Sequence, residues 1–557
     1  MKKIYLSVVL FFFFFTGIKA QDLALPLDIP LFLSGNFGEL RLNHFHSGID
    51  FKTQGRTGIP IKSVKDGYIS RINVSPFGYG KAIYIDHPDG TTSVYGHLDK
   101  FVPHIEAVVR DSQYQAESFL VTLYFQPDEL PVKMGERIAL SGNTGSSGGP
   151  HLHFEFRETV SEKPIDPLPF FMDKIKDTRP PEIRGIMIFP QLGRGIVNGS
   201  VQNQAIALTK NQSGEQVINQ PIIAWGDIGV GIKAYDRMDD ASNIYGVREV
   251  IFQVDGEVLY HSIMDSFSFA DTRYLNSYVD WKDKNENNSY YMKSFVDPGN
   301  RLGINQSHYN GIISIDEERT YRIEYTLKDL YGNTSTLRFD ITGKETAIPP
   351  FQSNDIRFPY HRNNEYIGKG IDLKIPRGNL YTDVYLKIDT IAQHTPFAPL
   401  YEIGDRMPLH SYCPLLLDIS YDTYSDKSKY GVVHNWRNRK TWLGGEYKDG
   451  KMAVEVRELG KFSIEIDTIP PVITAVNPAQ WTSNKRIAFK ITDNLSGINT
   501  YRGTLDGEFV LFQYDAKTNS LFCIYDPKRM KSVKQLLHLV VTDKAGNSSE
   551  YHKEIVF

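Results

Sequence analysis

From His151 the chain reads His151-Leu152-His153-Phe154-Glu155-Phe156-Arg157, preceded by Gly149-Pro150. In an extended strand successive side chains point to opposite faces, so His151, His153, Glu155 and Arg157 share one face and Leu152, Phe154 and Phe156 the other. The apolar face belongs against a core. The polar face carries two imidazoles about 6.6 Å apart along the strand. That spacing serves two rings chelating one ion, or one ligand beside one acid–base group. Glu155 orients His153 or pairs with Arg157; the sequence favours neither. A mainly β chain is expected from the same signals elsewhere: aromatic residues make up 12%, with 32 Tyr and 32 Phe, and strands of this kind alternate with Gly, Asn and Asp turns.

Working upstream, Ile83 to Asp86, the turn His87-Pro88-Asp89-Gly90 and Thr91 to Leu98 predict a hairpin. It ends in Tyr95-Gly96-His97-Leu98. Further back stands His46-Ser47-Gly48-Ile49-Asp50. In a straight strand His46 and Asp50 would lie about 13 Å apart, too far for one metal with bonds near 2 Å. Ser47-Gly48 is a poor helix former, so Gly48 is expected to bend the chain until the two side chains converge. His44 alternates with His46 and competes for the ligand role. Two His and one Asp make a three-ligand zinc site with the fourth position left for water, and two further His remain for acid–base work.

Together these segments resemble the lysostaphin-type (LytM-like) zinc endopeptidases. The resemblance rests on His46-x-x-x-Asp50, on His97 after a glycine, and on Gly149-Pro150-His151-Leu152-His153-Phe154-Glu155. The approach Leu140-Ser141-Gly142-Asn143-Thr144-Gly145-Ser146-Ser147-Gly148-Gly149 and the segment Asp66-Gly67-Tyr68-Ile69 add to it. It covers residues 33–170. It implies zinc ligands His46, Asp50 and His153, a general base His151, and His97 as its partner in binding water or the oxyanion. It also implies a small antiparallel β peptidase domain of the duplicated hybrid motif type, with hairpin walls around a groove. The implied reaction is hydrolysis of peptide bonds in peptidoglycan by a zinc-activated water, since zinc brings the pKa of water to about 7. The segment 102–132 lacks glycine and reads as an insertion into that pattern, placed to reshape or cap the groove.

The 557 residues exceed one core. Met1-Lys2-Lys3, the apolar run from Ile4 to Gly17 and Ile18-Lys19-Ala20 read as a secretory signal peptide, residues 1–20; the run is too short to span a membrane. Export across the inner membrane to the periplasm is expected. A peptidase domain then fills 21–177. Beyond it Pro180-Pro181-Glu182-Ile183 recurs as Pro470-Pro471-Val472-Ile473, Val254-Asp255-Gly256-Glu257 as Leu505-Asp506-Gly507-Glu508, and the turn 328–333 as 542–547. These repeats predict immunoglobulin-like β-sandwich modules at 178–345 and 467–557, with a β-rich domain of unassigned fold at 346–466. Asp-rich turns such as Asp493-Asn494-Leu495-Ser496-Gly497 are read as hairpin turns rather than calcium loops.

A net charge of -4 excludes a global basic field for nucleic acid, and the Gly-rich loop before His151 lacks the Gly-Lys-Ser/Thr ending of a phosphate loop. Cys413 and Cys523 are as consistent with two free thiols as with a disulfide. Peptidoglycan is the expected partner, with the C-terminal β modules free to position the enzyme on the wall or on a protein. The alternatives are a non-catalytic activator of cell-wall amidases, against which the complete ligand set stands, and a zinc peptidase acting on exported proteins.

Overall fold

The computed structural model describes residues 23–391 and 394–557. The expected signal peptide lies outside the described residues. No described helix is long and apolar enough to cross a membrane. Strands dominate, as the alternation and turn signals predict.

The N-terminal part is built on one antiparallel sheet. Its order is Leu33–Gly35, Ile49–Lys52, His151–Glu158, Thr91–Gly96, Lys81–Asp86, Gly67–Val74 and Val121–Tyr124. His151–Glu158 is therefore an interior strand, and Leu152, Phe154 and Phe156 are fully buried beneath it. Lys81–Asp86 and Thr91–Gly96 pair as a hairpin across His87 to Gly90. A small second sheet joins Pro60–Lys62, Arg137–Leu140 and Lys100–Phe101.

The glycine-free insertion does not form a cap made of loop. It folds as the helix Pro103–Gln115 followed by Val121–Tyr124 and Pro131–Val132, and both strands pair with Gly67–Val74. Those pairings lie at the sheet edge, three strands away from His151–Glu158. The helix starts with proline at its first turn, where the missing N–H has no partner to lose. It buries Ile105 and Val109.

The two repeat regions share a framework. In the first, Glu182–Val197 pairs with Ile223–Tyr235, and Thr320–Lys328 pairs with Thr334–Gly343. In the last, Val472–Ala475 pairs with Arg486–Thr492, and Gln535–Asp543 with Ser548–Ile555. The last region is a sandwich of two four-stranded sheets over a core of Phe489, Phe512, Leu521 and Leu539. Between them stands an eight-stranded sheet whose backbone is the long pair Leu400–Asp418 and Lys451–Ile466, with its own core. Cys413 and Cys523 are free and buried; burial pushes the Cys413 thiol up to about 12.

The N-terminal sheet and the first repeat module share one continuous core, from Leu33, Phe45 and Phe154 to Ile228, Phe252 and Tyr325. Polar contacts reinforce it. Tyr245 Oη donates to Leu33 O at 2.8 Å, and Phe45 and Phe37 pack on Phe267. The last module reaches back as well: Tyr114 of the insertion helix packs on Phe509 and donates to Asp526 at 3.1 Å, while Arg502 pairs with Glu117 and Lys517 donates to Asn143 O.

Candidate metal centre

Strand register assembles the site. His153 stands opposite Asp50 on one neighbouring strand and opposite Gly96 on the other, so Asp50, His153 and the residue after Gly96 meet at one place. His46 arrives from the turn before Ile49–Lys52. A Cβ at Gly48 would stand 2.2 Å from Phe154 O. Glycine thus lets this turn press against the central strand, and close approach rather than a left-handed angle is its contribution.

Three ligand atoms converge. His46 Nε2 lies 3.1 Å from Asp50 Oδ1 and 3.1 Å from His153 Nδ1, and His153 Nδ1 lies 2.9 Å from Asp50 Oδ1. All three residues are buried. A tetrahedral ion with bonds near 2 Å needs ligand edges of about 3.3 Å, so a small outward shift admits a divalent metal. The opposite nitrogens are already committed: His46 Nδ1–H donates to Asn36 O at 2.7 Å, and His153 Nε2–H to Glu155 Oε1 at 2.7 Å. Such partners fix the tautomer and the ring plane of a ligand. Arg41 holds the outer oxygen, Asp50 Oδ2, at 2.7 Å.

The electrostatics follow from these contacts. Burial disfavours the charged form of His153, yet its bonds to Asp50 and Glu155 outweigh it and raise its pKa to about 9. Burial holds His46 neutral. Asp50 is kept well below the usual carboxylate range, because the charge of His46 and the bond from His153 overcome its burial. Glu155 is also lowered against burial, chiefly by Arg157, whose Nε donates to Oε2 at 2.6 Å. The two readings of Glu155 left open by the sequence are both realised, one on each oxygen. The proton shared by His153 and Asp50 occupies the place that a metal would take on binding.

Beside this triangle stand two further imidazoles. His151 Nδ1–H donates to Gly149 O at 2.8 Å; its Nε2 is buried without a hydrogen-bond partner among the described residues, 3.4 Å from Asp50 Oδ1. His97 Nδ1–H donates to Thr144 O at 2.8 Å. Burial and the neighbouring His153 and His151 lower its pKa to about 3, so its Nε2 is an acceptor. The rings of His97 and His151 are 4.8 Å apart. His97 has φ of 59°, a left-handed angle that costs a residue with a side chain about 1–3 kcal/mol, held by its N–H bond to Tyr79 O at 2.8 Å.

His44, the competing ligand, is exposed and turned toward Leu42 O. Four contributors escaped the sequence reading. Tyr79 stacks on His153 and donates to Glu155 at 2.6 Å, Ser47 donates to the same oxygen at 2.6 Å, and Arg41 and Asn36 act as above. None lies in a periodic pattern, and a lone Tyr, Ser, Arg or Asn carries no signal without the fold.

A buried triangle of two imidazoles and one carboxylate on a β sheet, flanked by the Nε2 atoms of two further imidazoles, defines a metallopeptidase type of site. Residues 44–119 match peptidase family M23, and the chain carries an M23 peptidase domain. Residues 355–467 match the Zu5-like domain, which covers the region whose fold the sequence left unassigned. An uncharacterized metalloprotease of Haemophilus influenzae is 33% identical over 123 residues, 22% of this chain and 20% of that protein. The DD-carboxypeptidase/endopeptidase Mpg of Neisseria meningitidis is 32% identical over 123 residues, 22% of each chain. The peptidoglycan DD-endopeptidase ShyB of Vibrio cholerae is 33% identical over 121 residues, again 22% of each. The matched region thus spans about a fifth of these relatives. Among solved structures, the catalytic domain of lysostaphin from Staphylococcus simulans is 28% identical, covering 25% of this chain and 91% of that one with a TM-score of 0.19.

Proposed function

We propose that this protein is an exported zinc metalloendopeptidase that hydrolyses peptide bonds of peptidoglycan stem peptides or cross-links in the periplasm. The observation that carries the reading is the His46–Asp50–His153 triangle with the orphaned Nε2 of His151 beside it. Zinc suits two imidazoles and one carboxylate, and when bound it would acidify a water and polarise the scissile carbonyl. His46, Asp50 and His153 would hold it. Names of relatives such as ShyB favour a bond between D-amino acids.

The chain's own residues then supply proton handling. His151 Nε2 takes a proton from the attacking water while its Nδ1–H stays on Gly149 O. The imidazolium so formed returns that proton to the leaving amine as the C–N bond breaks. His97 Nε2 accepts the water's other hydrogen and so aims its lone pair. Tyr79, Ser47 and Arg157 keep Glu155 ionised against His153, which keeps Nδ1 turned to the metal position.

The test is mass spectrometry of fragments released from purified sacculi by the zinc-loaded chain, beside its His153→Ala variant. New peptide termini that vanish in the variant support the reading and name the bond. Cleavage of exported proteins with intact sacculi would replace it with a protein substrate, and zinc binding with neither activity would replace it with an activator role.

A further inference from the structure

Two buried places outside the peptidase site gather ligand atoms, and both lie where one module hands over to the next. Asp177, Asp236 and Asp329 bring one oxygen each within 4.8 Å of one another, and so do Asp467, Asp493 and Asp543. Calcium–oxygen bonds of 2.3–2.6 Å allow ligand separations up to about 5 Å.

The two groups are copies. Asp177 and Asp467 each stand three residues before a Pro-Pro pair, in the linker entering a repeat module. Asp236 follows the strand Ile223–Tyr235 and Asp493 follows Arg486–Thr492. Asp329 and Asp543 each head a turn closed by an asparagine four residues on: Asn333 Nδ2 donates to Asp329 Oδ2 at 2.6 Å and Asp177 O at 3.3 Å, and Asn547 Nδ2 to Asp543 Oδ2 at 2.8 Å and Asp467 O at 3.0 Å.

Turn formation accounts for part of each carboxylate and leaves a remainder. Asp177 is only 5% exposed. Its Oδ1 accepts from Arg179 N, but its Oδ2 is buried with no partner among the described residues. Asp177, Asp236 and Asp329 line one small cavity together with Asn36, Phe37, Asp166 and Arg248. At the second place Asp493 Oδ1 is likewise without a partner, and so is the hydroxyl of Ser496, a residue 2% exposed whose N–H donates to Asp467 Oδ2. None of these aspartates has an ion-pair partner among the described residues: Arg248 lines the first cavity without an ion pair to them, Arg179 pairs with Glu182, and Lys176 with Asp239. Burial raises Asp177 to about 6 and Asp236 to about 8, and the neighbouring aspartates add to the rise. Buried anions need a compensating cation or proton.

We propose that Asp177, Asp236 and Asp329 hold a calcium ion at the boundary of the peptidase domain and the first repeat module, and that Asp467, Asp493 and Asp543 hold a second where the last module begins. Donors that are all oxygen select a hard cation. A cage supplied by buried protein carboxylates favours calcium over magnesium, which keeps several waters. The function is mechanical: each ion ties a linker residue to two turns of the module that follows.

The test counts calcium bound to the full-length mature chain by native mass spectrometry, alongside calorimetric titration with calcium chloride after chelation. Two ions per chain are expected, falling to one in Asp236→Asn and in Asp493→Asn, with the melting temperature of the parent raised by millimolar calcium and lowered by chelator. The parent alone suffices for the count if a variant fails to fold. No calcium bound at millimolar concentration overturns the proposal. So does binding that both variants retain, or variants that melt higher than the parent at every calcium concentration, which would mean that the aspartates are merely buried and protonated.

Discussion

The His46–Asp50–His153 triangle and the aspartate triads both gather three ligand atoms, by different means. In the triangle, register does the work: Asp50 and His153 face each other across adjacent strands, and every ligand atom has its far side held by Asn36, Glu155 or Arg41. In the triads, turns and a linker converge, and some oxygens are left without partners. Ligands oriented by neighbours leave room for chemistry at an open position; ligands drawn from separate segments fasten those segments together. The difference separates a site built to react from a site built to join.

That contrast is most exposed to His151→Ala. Removing the partnerless nitrogen beside the triangle, Nε2 of His151, should lower kcat on muropeptide substrates by about 10²–10⁴-fold while zinc content by elemental analysis stays at the parent level. Loss of zinc instead would make His151 a ligand and erase its distinction from His153. Next in size is Glu155→Gln. Weakening the acceptor for His153 Nε2 should reduce zinc affinity by about 10–100-fold in competition with a chromophoric chelator, and an unchanged affinity would show that the strand alone orients the ring.

A stability measurement sharpens the other side. Asp166 lines the same cavity as the first triad, and burial raises its pKa to about 6. A raised carboxyl means that the folded state binds the extra proton, so its stabilising contribution is complete below about 4 and fades as pH rises through 6. At roughly 1.4 kcal/mol per unit this is about 3 kcal/mol at most. Asp166→Asn should flatten that part of the pH dependence in urea melts; a parallel curve would place the carboxyl in contact with solvent or a cation. The smallest effect is expected at the insertion helix, where Tyr114→Phe removes one bond to Asp526 and should cost about 1 kcal/mol in the same melts, with wall hydrolysis unaltered.

Strand and turn signals were legible because they are local. The alternation in His151 to Arg157 and the His87 to Gly90 turn each lie within ten residues, and both appear as read. The convergence of His46 with Asp50 required a bend, and Gly48 announced it, though the reason is contact with Phe154 rather than its own angle. What escaped was long-range. Arg41, Tyr79 and Asn36 matter only through partners 9, 76 and 10 residues away. The aspartate turns were read as turns, which they are; their second role depends on residues more than fifty positions apart, such as Asp177 and Asp236. The insertion's helix was missed because the absence of glycine marks no particular structure, and its Ile105, Val109 and Gln113 stripe is short.

Asn36 is the hinge of a dependency. Its side chain donates to Gly246 O and accepts from Gly246 N, while its carbonyl holds His46. A candidate metal ligand is thus aimed by a loop of the module that follows it, and their apolar interiors are one. Cutting after residue 177 would strip Phe37 and Phe45 of Phe267 and release the carbonyl that His46 leans on. In modular engineering the portable unit is therefore the pair, through residue 343, and the shorter piece would keep the candidate ligands without their aim.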